Sequence, residues 1–161
     1  MKRYKHIIIL INLLGLLTLV AHSVVEKESL LSEGQLILLE LAPVDPRSLM
    51  QGDYMQLQYA ISQDVPQDIP KRGFCVVTLD TNGVARRVRL QENRSPLESG
   101  EYLIPYTSRE WRGINIGAES FFFQEGEAEK FEVAEYGGIK VDARGNSLLV
   151  GLYDKNLKKI E

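Results

Sequence analysis

The stretch Phe74-Cys75-Val76-Val77-Thr78-Leu79-Asp80-Thr81-Asn82-Gly83-Val84-Ala85-Arg86-Arg87-Val88-Arg89-Leu90 places two β-rich runs around a polar tetrapeptide. Phe74 to Leu79 is dominated by β-branched and aromatic side chains, which favour a pleated, half-buried surface. Asn82-Gly83 is a strong short-range hairpin signal, because both residues tolerate positive φ. The return run alternates, with Val84, Arg86, Val88 and Leu90 on one face and Ala85, Arg87 and Arg89 on the other. A hairpin here makes the fold antiparallel and β-rich.

Working outward, Ser62 to Lys71 holds Pro66 and Pro70 and reads as a loop. Before it, Tyr54, Gln56 and Gln58 alternate with Met55, Leu57 and Tyr59, the period-two pattern of a strand running from about Asp53 to Ile61. Gln35 to Leu41, bounded by Gly34 and Pro43, reads as a short buried strand. Downstream, Gln91 to Gly100 is a polar loop and Glu101 to Tyr106 a strand, followed by a weaker one at Trp111 to Ile116. A turn at Gly117-Ala118 leads into Phe121-Phe122-Phe123, a strand of which must expose at least one ring. Ala128, Phe131 and Ala134 recur at threes and predict a helix over Gly126 to Tyr136, with Gly137-Gly138 as its C-cap. A last hairpin joins Ile139–Asp142 to Leu148–Tyr153 through Arg144-Gly145-Asn146. The expected fold is mainly β: one antiparallel barrel or sandwich with a single amphipathic helix.

The chain opens with Lys2, Arg3 and Lys5, then runs apolar from Ile7 to Val25, interrupted only by Asn12, Thr18, His22 and Ser23. Such a run spans a bilayer core of about 30 Å. The basic residues in front of it predict that residues 1–6 stay cytoplasmic. Residues 7–25 are then the anchor, 26–34 its helical extension, and 35–161 a domain outside the cytoplasmic membrane. Ala21-His22-Ser23 also carries small residues at the −3 and −1 positions of a cleavage site after Ser23, but the length of the run favours retention. Three of the 19 basic residues precede Glu26, so 16 basic residues face 22 acidic ones in the remainder, net −6. That balance argues against nucleic acid as a partner. Cys75 is alone, so no internal disulfide holds the fold.

Between the first two strands lies Pro43-Val44-Asp45-Pro46-Arg47-Ser48-Leu49-Met50-Gln51-Gly52-Asp53-Tyr54, where two prolines forbid regular structure and Gly52-Asp53 punctuates a turn. Gly52-Asp53-Tyr54, four residues, then Tyr59 resembles the pattern of the GDYXXXXY family of bacterial membrane-anchored proteins. Phe122-Phe123-Gln124-Glu125-Gly126 and Leu148-Leu149-Val150-Gly151-Leu152 are similar to that family as well. The resemblance implies an accessory partner of a multi-spanning membrane protein, without an assigned reaction.

Catalytic constellations are sparse. Both histidines, His6 and His22, belong to the anchor region, which excludes a His-based triad or a His/Cys metal site beyond it, and no glycine pattern cradles a phosphate. No metal or other cofactor is expected. A Ser48/Lys71 dyad in a signal-peptidase-like arrangement is the enzymatic alternative, and it requires a buried Lys71 within about 3 Å of Ser48. A ligand cavity inside the barrel is a third reading. The candidate recognition residues are Asp45, Arg47, Gly52, Asp53, Tyr54, Tyr59, Phe122, Gln124, Glu125 and Gly126. Asp45, Arg47 and Asp53 would form a local charge network, or Asp53 would accept backbone N–H groups at its turn. Tyr54 and Tyr59 are five apart, so on one strand they point to opposite faces.

Overall fold

A computed structural model describes residues 2–42, 54–66, 68–109 and 113–161. The first element, α1 (Lys2–Glu33), is one unbroken helix of 32 residues. It is long and apolar enough to cross a bilayer, and none of its apolar span is buried by the protein. The helix stops where it meets the domain. Gly34 N–H donates to Leu30 O at 3.0 Å, Lys140 Nζ donates to Gly34 O at 2.8 Å, and Leu30 is buried. A lysine on the last carbonyls also suits the negative end of the helix dipole.

The domain is mainly β. β1 (Gln35–Glu40), β8 (Tyr136–Val141) and β9 (Ser147–Tyr153) form an antiparallel sheet ordered β1-β8-β9. β3 (Arg72–Leu79), β4 (Ala85–Gln91), β5 (Glu101–Arg109) and β6 (Gly113–Asn115) form a second, ordered β4-β3-β5-β6. A parallel bridge between Leu38 and Val84 joins the two, and the strands curl into a half-barrel. A two-stranded piece pairs β2 (Tyr54–Gln56) with β7 (Ser120–Phe122). A 3-10 turn at Ala60–Ser62 and a four-residue helix, α2 (Ala128–Phe131), complete the fold. Ile37, Leu39, Leu57, Tyr59, Ile104, Ile139 and Leu152 fill the interior, each with less than 2% of its surface exposed.

The antiparallel β-rich expectation holds, and so do both hairpins, but four details differ. First, Asn82 does not adopt positive φ; only Gly83 does, at 79°. The loop is therefore a turn closed by Gly83 N–H to Asp80 O at 3.0 Å and followed by one left-handed residue. Second, a bulge interrupts the register between Val76 and Val77, which pair with Arg89 and Arg87. Val88 is left out of the ladder and exposed. Cys75 then pairs with Leu90 and Val77 with Arg87, so the single-face alternation predicted for β4 breaks at the bulge. Third, the strand expected over 53–61 ends at Gln56 and gives way to the 3-10 turn.

Fourth, the helix expected over 126–136 is only α2. Glu135 explains its end: its N–H donates to Tyr153 O and its C=O accepts from Leu41 N–H, each at 2.9 Å. Both backbone groups are thus taken by the sheet before a helix can continue. Gly137 and Gly138 are not a cap but lie within β8, where their missing side chains make room for the rings of Tyr59 and Tyr153.

Three turns share one device. Asp80, Asp142 and Asp154 each accept the backbone N–H two and four residues on, at 2.8–3.0 Å. Each turn then places its fourth residue (Gly83, Gly145 or Leu157) in the left-handed region. The N–H groups of Val84 and Asn82 hold the Asp80 carboxyl below its ordinary range. That of Lys158 does the same for Asp154. Partial burial pushes Asp142 up, but the bonds from Asn146 and Arg144 outweigh it and the net shift is down. A carboxyl lowered in the folded state stabilises the fold above the unfolded value, about 3.9, and that contribution is lost as pH falls through the folded value. Urea midpoints should therefore not fall on account of these groups between pH 7 and 5, and should drop between about pH 4 and 2. Asp154→Asn should shrink the drop; an unchanged drop would overturn the assignment.

Candidate functional site

The motif strand enters the described structure at Tyr54. Asp45, Arg47, Gly52 and Asp53 lie outside the described residues, as does Ser48, so the proposed charge network and the Ser48/Lys71 dyad are not described. Lys71 itself is exposed, whereas the dyad requires it buried.

From Tyr54 to Tyr59 the backbone crosses between three elements. Tyr54, Met55 and Gln56 pair with Phe122, Phe121 and Ser120 of β7. Leu57 N–H donates to Glu119 O and Ala42 N–H donates to Gln58 O, both at 2.8 Å. Tyr59 bridges Leu41 just beyond β1. The alternation survives even though the strand is short. Met55, Leu57 and Tyr59 point inward and are buried, while Gln56 and Gln58 are exposed and Tyr54 is half-buried.

The two tyrosines consequently have different surroundings. Tyr59 is fully buried, and its Oη donates to Ala118 O at 2.6 Å. Burial, with Glu119 adding repulsion, raises its hydroxyl well above the usual tyrosine range, so it acts as a neutral donor. It offers no surface to a partner. Tyr54 instead tilts against Phe122, with ring centroids 5.8 Å apart. Phe121 and Phe123 both pack on Phe131, at 4.9 and 5.5 Å between ring centroids, which turns the middle ring outward. Phe122 is 74% exposed, and Gln124, Glu125 and Gly126 beside it are exposed too. The structure therefore brings Tyr54 and Phe122 together across the small β2–β7 sheet, and the exposed Gln-Glu-Gly segment follows that strand in the chain.

Two residues outside the sequence candidates help to fix this region. Leu57 is 1% exposed, and its inward phase on the alternating strand was the available signal. Arg87 is the other. Its guanidinium donates to Ile61 O and Gln63 O at 2.7 Å and to Asp64 O at 3.0 Å, fastening the 3-10 turn that follows the motif. No sequence pattern announced it, because all three acceptors are backbone carbonyls.

Among the described residues, no group of three or more His, Cys, Asp or Glu side chains is placed to hold a metal ion. Cys75 is fully buried, and burial pushes its thiol up to about 12, which leaves it an inert protonated group. Clefts of about 440 and 630 Å³ are present, one beside Arg72, Tyr106 and Asn115 and the other beside Glu40, Arg86 and Lys155.

A family model described as GDYXXLXY protein matches residues 16–152, most of the chain. The named pattern falls on Gly52, Asp53, Tyr54, Leu57 and Tyr59, and so includes the buried leucine. No curated protein and no solved structure matches the chain.

Proposed function

The chain belongs to the GDYXXLXY family, and we propose that it is a non-enzymatic, membrane-anchored domain that binds another envelope or inner-membrane protein. In this reading the anchor is retained in a bacterial cytoplasmic membrane and the domain faces the extracytoplasmic side, as the basic residues before the span favour. The observation that carries it is Phe122. Its backbone is fixed opposite Tyr54 while its ring is 74% exposed. Both flanking phenylalanines are spent on Phe131. An aromatic ring kept in water on a rigid strand is the usual anchor of a protein contact.

The test is photocrosslinking in native membranes from probes placed at Phe122 and at Tyr54, read by mass spectrometry. One reproducible membrane-protein adduct is expected from both positions. Phe122→Ser should lower partner affinity about tenfold or more, with domain stability changed by no more than about 0.5 kcal/mol. Asp53→Ala should abolish the adduct while the domain stays folded. No adduct from either probe would sink the reading.

A further inference from the structure

We propose that the membrane-spanning helix pairs in parallel with the same helix of a second copy of this chain, through the face carrying Asn12, Gly15, Thr18 and His22. α1 is continuous from Lys2 to Glu33, so successive residues are turned by about 100°. On that helix Asn12, Gly15, Thr18, His22 and Glu26 fall within an arc of about 120°, and Ser23 lies at its edge. Between Ile7 and Val25 the opposite arc, with Leu10, Leu13, Leu17, Val20 and Val24, is apolar, and His6 lies on that side just before the run. Polar side chains facing acyl chains are costly, and in membranes they turn towards another protein surface. Within this chain nothing covers them: the span is unburied among the described residues.

The face is also shaped for close approach. A side chain added at Gly15 would meet nothing within 4 Å. Glycine weakens a helix by about 1 kcal/mol relative to alanine, and small residues at this depth let two backbones come together.

Self-complementarity decides the occupant. Asn12 Nδ2 donates to Ile8 O at 3.0 Å, which leaves its second N–H and its Oδ1 for a neighbour. A carboxamide is donor and acceptor in one group, so two copies of Asn12 at the same depth satisfy each other across a two-fold axis. Thr18 bonds back to its own helix, at Leu14 O and Gly15 O, and keeps that face compact. At the end of the span His22 Nε2 lies 3.5 Å from Glu26 Oε1, so imidazole and carboxylate stand one turn apart. In a parallel two-fold pair each residue meets its own copy, so Asn12 is the group whose donor and acceptor complement themselves, while His22 and Glu26 stay paired within each chain. A helix of unrelated sequence would have to place a group that both donates and accepts at the depth of Asn12.

The test uses single cysteines in the full chain, in native membranes, under mild oxidation. Ile8→Cys and Leu19→Cys lie on the polar arc without replacing its polar groups, and Leu13→Cys and Leu17→Cys lie opposite. Cys75 is fully buried and serves as the silent background. Disulfide-linked chains of twice 18.2 kDa are expected from Ile8→Cys and Leu19→Cys, at about fivefold or more the yield of the other two. Adding Asn12→Val should lower that yield about fivefold, and Asn12→Gln should preserve it. Equal yields on both faces, no linked chains, or links only to a different protein would overturn the proposal. The partner reading is tested at Phe122, far along the chain in the folded domain, so either result stands without the other.

Discussion

Tyr59→Ala is expected to lower the stability of the folded domain by about 3–5 kcal/mol, the range for emptying a large aromatic site in a packed core. That is a large share of the roughly 5–15 kcal/mol a single domain possesses. Tyr59 has no exposed surface, and its neighbours cannot collapse into the space it would leave. On one side stands Gly137, which has no side chain to move, and on the other the backbone of Ala118. The ring therefore links the motif strand to β7's approach and to β8 at once. Tyr59→Phe separates packing from hydrogen bonding. It keeps the ring and leaves Ala118 O without its donor, which should cost about 1–3 kcal/mol. Urea-dependent proteolysis of the full chain in nanodiscs would read both. If Tyr59→Ala were no worse than alanine at the exposed neighbour Gln58, the central role given to this side chain would be wrong.

The same residue shows what was legible in the sequence. Strict alternation from Tyr54 to Tyr59 already placed the two tyrosines in opposite phases, and the phase survives although the strand stops at Gln56. Phe121-Phe122-Phe123 likewise had to expose one ring, and the identity of that ring followed only once Phe131 was seen to take both neighbours. The turns at Asp80 and at Arg144-Gly145-Asn146 were readable because their bonds span four residues or fewer, whereas the turn at Asp154 was missed, residues 154–161 reading as a charged tail. Long-range pairing was not. The helical spacing of Ala128, Phe131 and Ala134 is a local signal, and it lost to the bonds that Leu41 and Tyr153 make with Glu135. The bulge at Val88 and the three carbonyls held by Arg87 are also products of distant strands, without a local trace. The first half of the motif, from Asp45 to Asp53, lies outside the described residues.

Gly137-Gly138 is the sharpest case of a local signal with a non-local cause, and it carries the second large effect. A Cβ at position 137 would lie 2.8 Å from Cε1 and 2.9 Å from Oη of Tyr59. The phenol cannot swing aside, because it is buried and bonded to Ala118 O. Gly137→Ala should therefore cost about 1–3 kcal/mol as an overpacked core site. In the Tyr59→Ala background the obstructing atoms are gone. Alanine at 137 should then be neutral, or stabilising by about 0.4–1 kcal/mol through the reduced freedom of the unfolded chain. The double-mutant cycle thus predicts a coupling of about 1–3 kcal/mol, with the two substitutions together costing less than their sum. A glycine needed only for its own backbone would cost the same in both backgrounds. Additivity within about 0.5 kcal/mol would accordingly show that Tyr59 is not what keeps position 137 free of a side chain.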